Sequence, residues 1–272
     1  MLYENGLLRA IILPIMKAVS RDITIRHHWT GQQLKINLFA HKGYWYHGRR
    51  REKEEMRAIE LLVEPGDVAV EVGGHIGYIA LLLARAVGYG KLIVFEPGSN
   101  NLPYLRANLA DLDNVTLIEK GCGPRSENMT FFEESLTGQN NSFVSSFRGL
   151  QDNAAKAPTV SVDVTSHVVP VVRLDQEVPA TPSFVKIDVE GFELAVLHGA
   201  EGWFDDGKMY PIFMIEVQAD HTAIADWFIT RGYKLFDVNG RPMMEIPETT
   251  INLFALDPKI HAERLERWQS GF

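Results

Sequence analysis

The chain has 272 residues, 46% hydrophobic and 23% charged, a balance that builds an ordinary folded core and excludes a disordered or fibrous protein. Its net charge of −8 argues against a surface that tracks nucleic-acid phosphates, which needs clustered Lys and Arg. The single cysteine, Cys122, excludes an intrachain disulfide and a multi-cysteine zinc site, and fits a reducing, cytoplasmic setting.

Residues 1–20 carry Leu7, Leu8, Ile11, Ile12, Ile15, Met16 and Val19 in an amphipathic helical pattern interrupted by Arg9, Pro14 and Lys17. The stretch is too short and too charged for a membrane span and lacks a cleavage pattern. A helix packed on the body or on a second copy of the chain is expected, with peripheral membrane contact as the sharper alternative. Residues 22–29 and 33–40 read as a hairpin turned at Thr30-Gly31, followed by an aromatic run around Tyr44 to His47. Arg49, Arg50 and Arg51, with Glu52, Glu54 and Glu55 after them, read as the solvated start of a helix. Residues 1–52 form an N-terminal accessory segment in this reading.

From residue 53 onward strands and helices alternate, the signature of an α/β fold with a mainly parallel sheet covered on both faces. Met56, Ile59, Leu62 and Val63 mark a helix that stops before Pro65-Gly66, and an apolar strand at 68–72 follows. That strand runs into Gly73, Gly74 and Gly77 and straight into an apolar helix at 78–87, a geometry that cradles nucleotides. The spacing is Glu71-x-Gly73-x-His75-x-Gly77 rather than G-x-G-x-x-G, and an acid two positions before the first glycine suits a ligand with a cationic amino group better than a pyrophosphate. S-adenosylmethionine is therefore favoured over NAD, with a nicotinamide oxidoreductase as the competing class. The run ending in Phe95-Glu96-Pro97 places a carboxylate about 20 residues beyond the glycines, where it accepts ribose hydroxyls.

Leu102, Leu105, Leu109 and Leu112 stripe the next helix, with Ser99 and Asn100 as cap candidates. Further strands are expected at 114–119, 183–188 and 211–217, a helix at 219–231, and a terminal hairpin from 233–238 and 250–256. Residues 133–170 are too long for a simple connection and read as a lid-like insertion, with Asn141 and Ser142 as substrate contacts. Lys186, Asp188 and Glu190 stand at every second position of a strand that should be apolar, so they share one side at the end where open α/β sheets bind ligands.

Glu71-Val-Gly-Gly-His-Ile-Gly-Tyr78, Phe95-Glu96-Pro97, Arg173-Leu-Asp175, Lys186-Ile-Asp-Val-Glu-Gly-Phe-Glu193 and Leu197-His-Gly-Ala200 together resemble the FkbM-type methyltransferases, over about residues 53 to 240. The resemblance implies a seven-stranded Rossmann-like sheet and S-adenosylmethionine-dependent O-methyl transfer, often to sugar or natural-product hydroxyl and carboxyl groups. It further implies that Glu71, Gly73 and Gly77 hold the methionine and ribose part, that Glu96 holds the ribose hydroxyls and that Gly121 and Cys122 lie near the adenine, with Gly74, Tyr78, Pro97 and Asp188 as further cofactor contacts. His75 departs from the small or amide residue usual there, and packing beside the cofactor is the expected role.

Asp188 is the first candidate for base or hydroxyl orienter, Glu190 the second, with Lys186 tuning charge. Glu216 and His221 are candidate substrate contacts, and no metal ligand is assigned. A metal-assisted variant would use Asp188 and Glu216, with Gln218, to hold one Mg²⁺. The expected partner is a small-molecule acceptor rather than nucleic acid, and a homo-oligomer is allowed.

Overall fold

The computed structural model describes residues 15–150, 162–178, 182–205 and 210–271. Most of the N-terminal amphipathic pattern lies outside these residues; of it, 15–18 are helical and Met16, like Leu136, packs on Phe39. The chain then runs β1 (Asp22–Arg26), β2 (Gln33–Asn37), α1 (Lys42–His47), α2 (Lys53–Leu62), β3 (Val68–Val72), α3 (Tyr78–Val87), β4 (Lys91–Phe95), α4 (Leu102–Leu109) and β5 (Val115–Ile118). After these come β6 (Gly121–Cys122), β7 (Glu127–Glu134), β8 (Val164–Val172), α5 (Leu174–Glu177), β9 (Phe184–Ile187) and α6 (Glu193–His198). The C-terminal part holds β10 (Ile212–Val217), α7 (His221–Ile229), β11 (Lys234–Phe236), β12 (Pro242–Met243), β13 (Ile251–Leu256) and α8 (Ala262–Ser270).

The main sheet has the order β12-β11-β13-β10-β9-β3-β4-β5, with β5, β4, β3, β9 and β10 parallel and β13 antiparallel to both its neighbours. It is Rossmann-like, as expected, but eight-stranded rather than seven-stranded, because Pro242 and Met243 fold back onto β11 as an edge. Proline is tolerated at such an edge, where no neighbour needs its missing N–H.

Period-2 alternation divides the strand side chains between two cores. Ala69, Leu92, Val94, Phe184, Ile212 and Met214 face the side covered by α2, α3, α4 and α8. Val70, Ile93, Val185, Phe213 and Ile215 face α6 and α7. The β1–β2 hairpin joins the first core through Leu34 and Ile36, and Asn108 of α4 bonds both backbone groups of Lys35.

The expected lid is in part a second sheet. β8 pairs antiparallel with β7 and parallel with β6, so the segment after β5 is a three-stranded platform, with residues 151–161 outside the described set. Pro170 within β8 and the glutamates of β7 disguise these strands in the sequence, and only their mutual pairing reveals them. Ser99 and Asn100 do not cap α4, which starts after Asn101 without a side-chain cap bond. Ser99 instead donates its N–H and hydroxyl to Glu133, and Asn100 donates to the Glu134 carbonyl, tying the helix start to the platform.

Candidate active site

The chain leaves β3 toward β4 and β5 on one side of the sheet and later returns through β9 and β10 on the other, so the switch point lies between β3 and β9. A cavity of about 920 Å³ opens at the carboxyl ends of these strands, where open α/β sheets bind ligands.

Register decides which charges meet. Glu71 on β3 lies opposite Lys186 on β9, and Met214 on β10 lies on the other side of Lys186, so Glu71, Lys186, Asp188 and Glu216 all project to one face. Lys186 is 4% exposed. Its Nζ lies 3.4 Å from Glu71 Oε1 and 3.2 Å from Asp188 Oδ2, and also donates to the Gly73 carbonyl at 3.4 Å. Burial opposes the ammonium charge, but Asp188 and Glu71 outweigh it and hold Lys186 above the ordinary lysine range. Lys186 is thus the internal counter-charge of two site carboxylates.

The turn after β3 explains its glycines. Gly73 and Gly77 have φ of 87° and 88°, in the left-handed region. A Cβ on Gly73 would stand 1.9 Å from the Asp188 carbonyl, so glycine here lets the ends of β3 and β9 come together. Gly74 makes room for Val94 and Leu105, and Gly77, also against Leu105, stands behind the cavity wall rather than in it.

Glu71 is 1% exposed and its Oε2 has no hydrogen-bond partner. Burial pushes its carboxyl up to about 7, against the pull of Lys186. Glu96 is also buried and raised to about 7, chiefly by that burial. Its Oε2 accepts the His75 N–H at 2.8 Å, while Oε1 accepts from Gly98 N–H at 2.8 Å and Asn101 Nδ2 at 3.2 Å. Oε2 therefore retains acceptor capacity toward a ligand.

On the far side of Lys186 the cavity is acidic. Asp188 carries a side chain that is 28% exposed. The adjacent Asp188 charge, then burial, raises Glu216, and burial with Asp188 and Glu216 raises Glu190. Gln218 Nε2 donates to Glu190 Oε2 at 2.7 Å and to Glu216 Oε1 at 3.4 Å. Among the described residues no group of three or more His, Cys, Asp or Glu is placed to hold a metal ion.

Of the residues expected from the sequence, Glu71, Gly73, Gly74, His75, Tyr78, Glu96, Pro97, Gly121, Cys122, Asn141, Lys186, Asp188, Glu190 and Glu216 line the cavity. Gly77, Ser142 and His221 do not. Ser142 is bridged to Phe132 through the backbone and gives its hydroxyl to the Glu190 carbonyl at 2.7 Å, a structural tie. His221 opens α7 beyond the last cavity residue of that loop, Ala219. Asn141 reaches the cavity, but its side chain donates to Asn100 and accepts from the Glu134 N–H.

Sequence reasoning misses Arg51, read as a solvated residue. Its guanidinium lies 4.2 Å above the Tyr44 ring, pairs with Glu52 at 2.8 Å and lines the cavity. Asn101 is missed as well, since it carries no motif, whereas Gln139 falls within the expected lid segment. Glu52, His75 and Glu190, non-glycine residues at φ of 49°, 47° and 55°, all line the cavity, the kind of local strain that concentrates at functional sites.

The model of the methyltransferase FkbM domain matches residues 71–235, from the first site carboxylate to β11. The chain belongs to the FkbM methyltransferase domain family. The matched family is one of methyltransferases, which speaks against the nicotinamide oxidoreductase weighed as the competing class. No curated protein matches the chain.

Among solved structures, the methyltransferase FkbM of Methylobacillus flagellatus is 16% identical, with a TM-score of 0.45 over 70% of this chain and 43% of that one, so the chain spans less than half of its length. An S-adenosylmethionine-dependent O-methyltransferase from Thermotoga maritima is 13% identical over 76% of this chain and 64% of that one, with a TM-score of 0.41. Fibrillarin from Aeropyrum pernix, solved with natively bound S-adenosyl-L-methionine, is 13% identical over 86% and 81%, with a TM-score of 0.42. No helix among the described residues of this FkbM-family chain is long and apolar enough to cross a membrane.

Proposed function

We propose that this FkbM-family protein transfers the methyl group of S-adenosylmethionine to a hydroxyl or carboxyl oxygen of a small-molecule acceptor of the sugar or natural-product kind. The observation that carries this reading is the position of Asp188, a carboxylate at the end of a central strand, open to the cavity and anchored from behind by Lys186.

The residues present fit the cofactor. The unpartnered Oε2 of Glu71 is a buried acceptor beside the cavity, suited to an ammonium group. Oε2 of Glu96 would take a ribose hydroxyl, and Gly121 and Cys122 would border the adenine. When bound, S-adenosylmethionine supplies an electrophilic methyl on a sulfonium whose departure as a neutral thioether needs no acid.

Transfer to a hydroxyl needs its oxygen in line with the methyl group and its proton removed, and much of the rate comes from positioning. Asp188 accepts the hydroxyl hydrogen bond and takes the proton. Lys186, 3.2 Å behind, anchors that carboxylate, while Glu216, raised beside it, holds a proton and donates to the acceptor. Gln218 keeps the Glu190 and Glu216 carboxyls in place. Glu52 and Glu248 add further carboxylates to the cavity wall, and with the net charge of −8 they disfavour a phosphate-rich substrate, which supports a small molecule over nucleic acid.

Calorimetric titration with S-adenosylmethionine and S-adenosylhomocysteine, with NAD as control, tests the cofactor half. Micromolar binding of the first two and none of NAD is expected. Release of S-adenosylhomocysteine with a panel of sugars, small carboxylic acids and RNA tests the acceptor half, and turnover with RNA alone would overturn it.

A further inference from the structure

The His75 ring is enclosed by two parts of the chain that are distant from it in sequence. Its Nδ1 lies 2.9 Å from the Tyr44 hydroxyl of α1, and its Nε2 lies 3.2 Å from the Thr137 carbonyl in the segment after β7. The His41 ring meets it edge-on at 5.6 Å. Burial, reinforced by His41, Arg51 and Lys186, keeps the imidazole neutral, against the opposing pull of the Thr137 carbonyl.

Donor and acceptor roles then follow by elimination. A carbonyl only accepts, so Nε2 carries the hydrogen and donates to Thr137. Nδ1 is left as an acceptor, so the Tyr44 O–H donates to it, and the Tyr44 oxygen accepts from Gln139 Nε2 at 3.3 Å. The bonds run from Gln139 to Tyr44 to His75 to Thr137, starting and ending in the same short segment. Both flanks of this loop are fixed. Thr137 N–H donates to the Glu134 carboxylate at 3.0 Å, and the Gly138 carbonyl accepts from Asn101 at 3.0 Å. The backbone N–H of His75, at its left-handed φ, is the donor that holds Glu96 Oε2.

We propose that Tyr44 and His75 form a positioning relay that clamps the Thr137–Gln139 segment onto the cofactor turn and so aims the Glu96 carboxylate at its ligand. The N-terminal segment thereby becomes part of the support of the cofactor turn, and His75 is the residue that recruits it. The functional half of this proposal rests on the reading of the cavity as an S-adenosylmethionine site.

Tyr44→Phe in the full chain removes one hydroxyl and leaves the ring under Arg51, so the fold is retained. The unbound variant should melt within a few degrees of the parent, while S-adenosylhomocysteine affinity falls about tenfold, as expected when a buried imidazole nitrogen loses its donor. The melting shift induced by S-adenosylhomocysteine should shrink in step. His75→Asn should lose at least as much, and the double variant should lose no more than His75→Asn alone, because both changes interrupt one relay. Losses that multiply, or parent affinity in Tyr44→Phe, would overturn the positioning role. Nitrogen NMR of the unbound parent reads the His75 tautomer without any ligand. The Nε2–H form is expected, and Nδ1–H would overturn the relay. Failure of the parent to bind S-adenosylhomocysteine with the Nε2–H form present would overturn the cofactor reading and the aiming role together, leaving only the clamp.

Discussion

Lys186 Nζ stands 3.2 Å from Asp188 Oδ2, two positions along the same chain and at the end of the same strand. That spacing, with Glu71 across the register, makes one buried cation the support of two carboxylates, to which the proposed function gives different tasks, one toward the cofactor and one toward the acceptor.

Replacing Lys186 with methionine strands Glu71 and Asp188 without their counter-charge. Breaking a buried pair from one side costs about 3–5 kcal/mol, so chemical denaturation at pH 8 should show a loss of that order. The deficit should narrow toward pH 5, because stranded carboxylates relieve the penalty by taking up protons. A loss of under about 1 kcal/mol at pH 8 would show that water or a rearranged partner replaces Lys186.

Stability without ligand should fall as pH rises above about 6.5. Glu71, Glu96 and Glu193 are raised from 4.5 to about 7 in the folded protein, chiefly by burial, so the folded state binds more protons than the unfolded chain between those values. Their carboxyls therefore favour folding below 4.5 and lose that advantage as pH climbs through 7. His27 and His41, lowered from 6.5 to about 4 by burial, act oppositely, adding stability as pH rises from 4 to 6.5. The two sets offset each other in acid, and only the carboxylates act above 6.5. Melting curves from pH 6.5 to 8 should descend, and Glu96→Gln should flatten the descent.

Glu96→Ala removes the acceptor that organises His75, Gly98 and Asn101 as well as the proposed ribose contact. S-adenosylhomocysteine affinity should drop by more than tenfold, which corresponds to more than about 1.4 kcal/mol. Calorimetry giving the parent affinity would remove the ribose assignment.

Asp188→Asn keeps size and polarity but cannot accept a proton. Turnover on a hydroxyl acceptor should fall about 10²- to 10⁴-fold with cofactor affinity changed only a few-fold. Undiminished turnover would dismiss it as the base. A chelator should leave parent turnover unchanged, and a loss restored by Mg²⁺ would move the roles of Asp188 and Glu216 to metal binding.

The amino-acid sequence alone determined the features that depend on neighbours in the chain. The apolar run into Gly73 and Gly77, the helix Tyr78–Val87 and the carboxylates at strand ends are legible because turn chemistry and period-2 alternation act over a few residues. Those local rules were enough for the fold class, and with the family resemblance they chose site residues most of which line the cavity. Only the tertiary structure decided which charges meet. The register that sets Glu71 against Lys186, the pairing that turns β6, β7 and β8 into a platform, and the placement of Arg51 in the cavity wall all join residues far apart in the chain. The Tyr44–His75 bond spans 31 positions, and no periodicity or motif can announce a hydrogen bond whose two partners are brought together by packing.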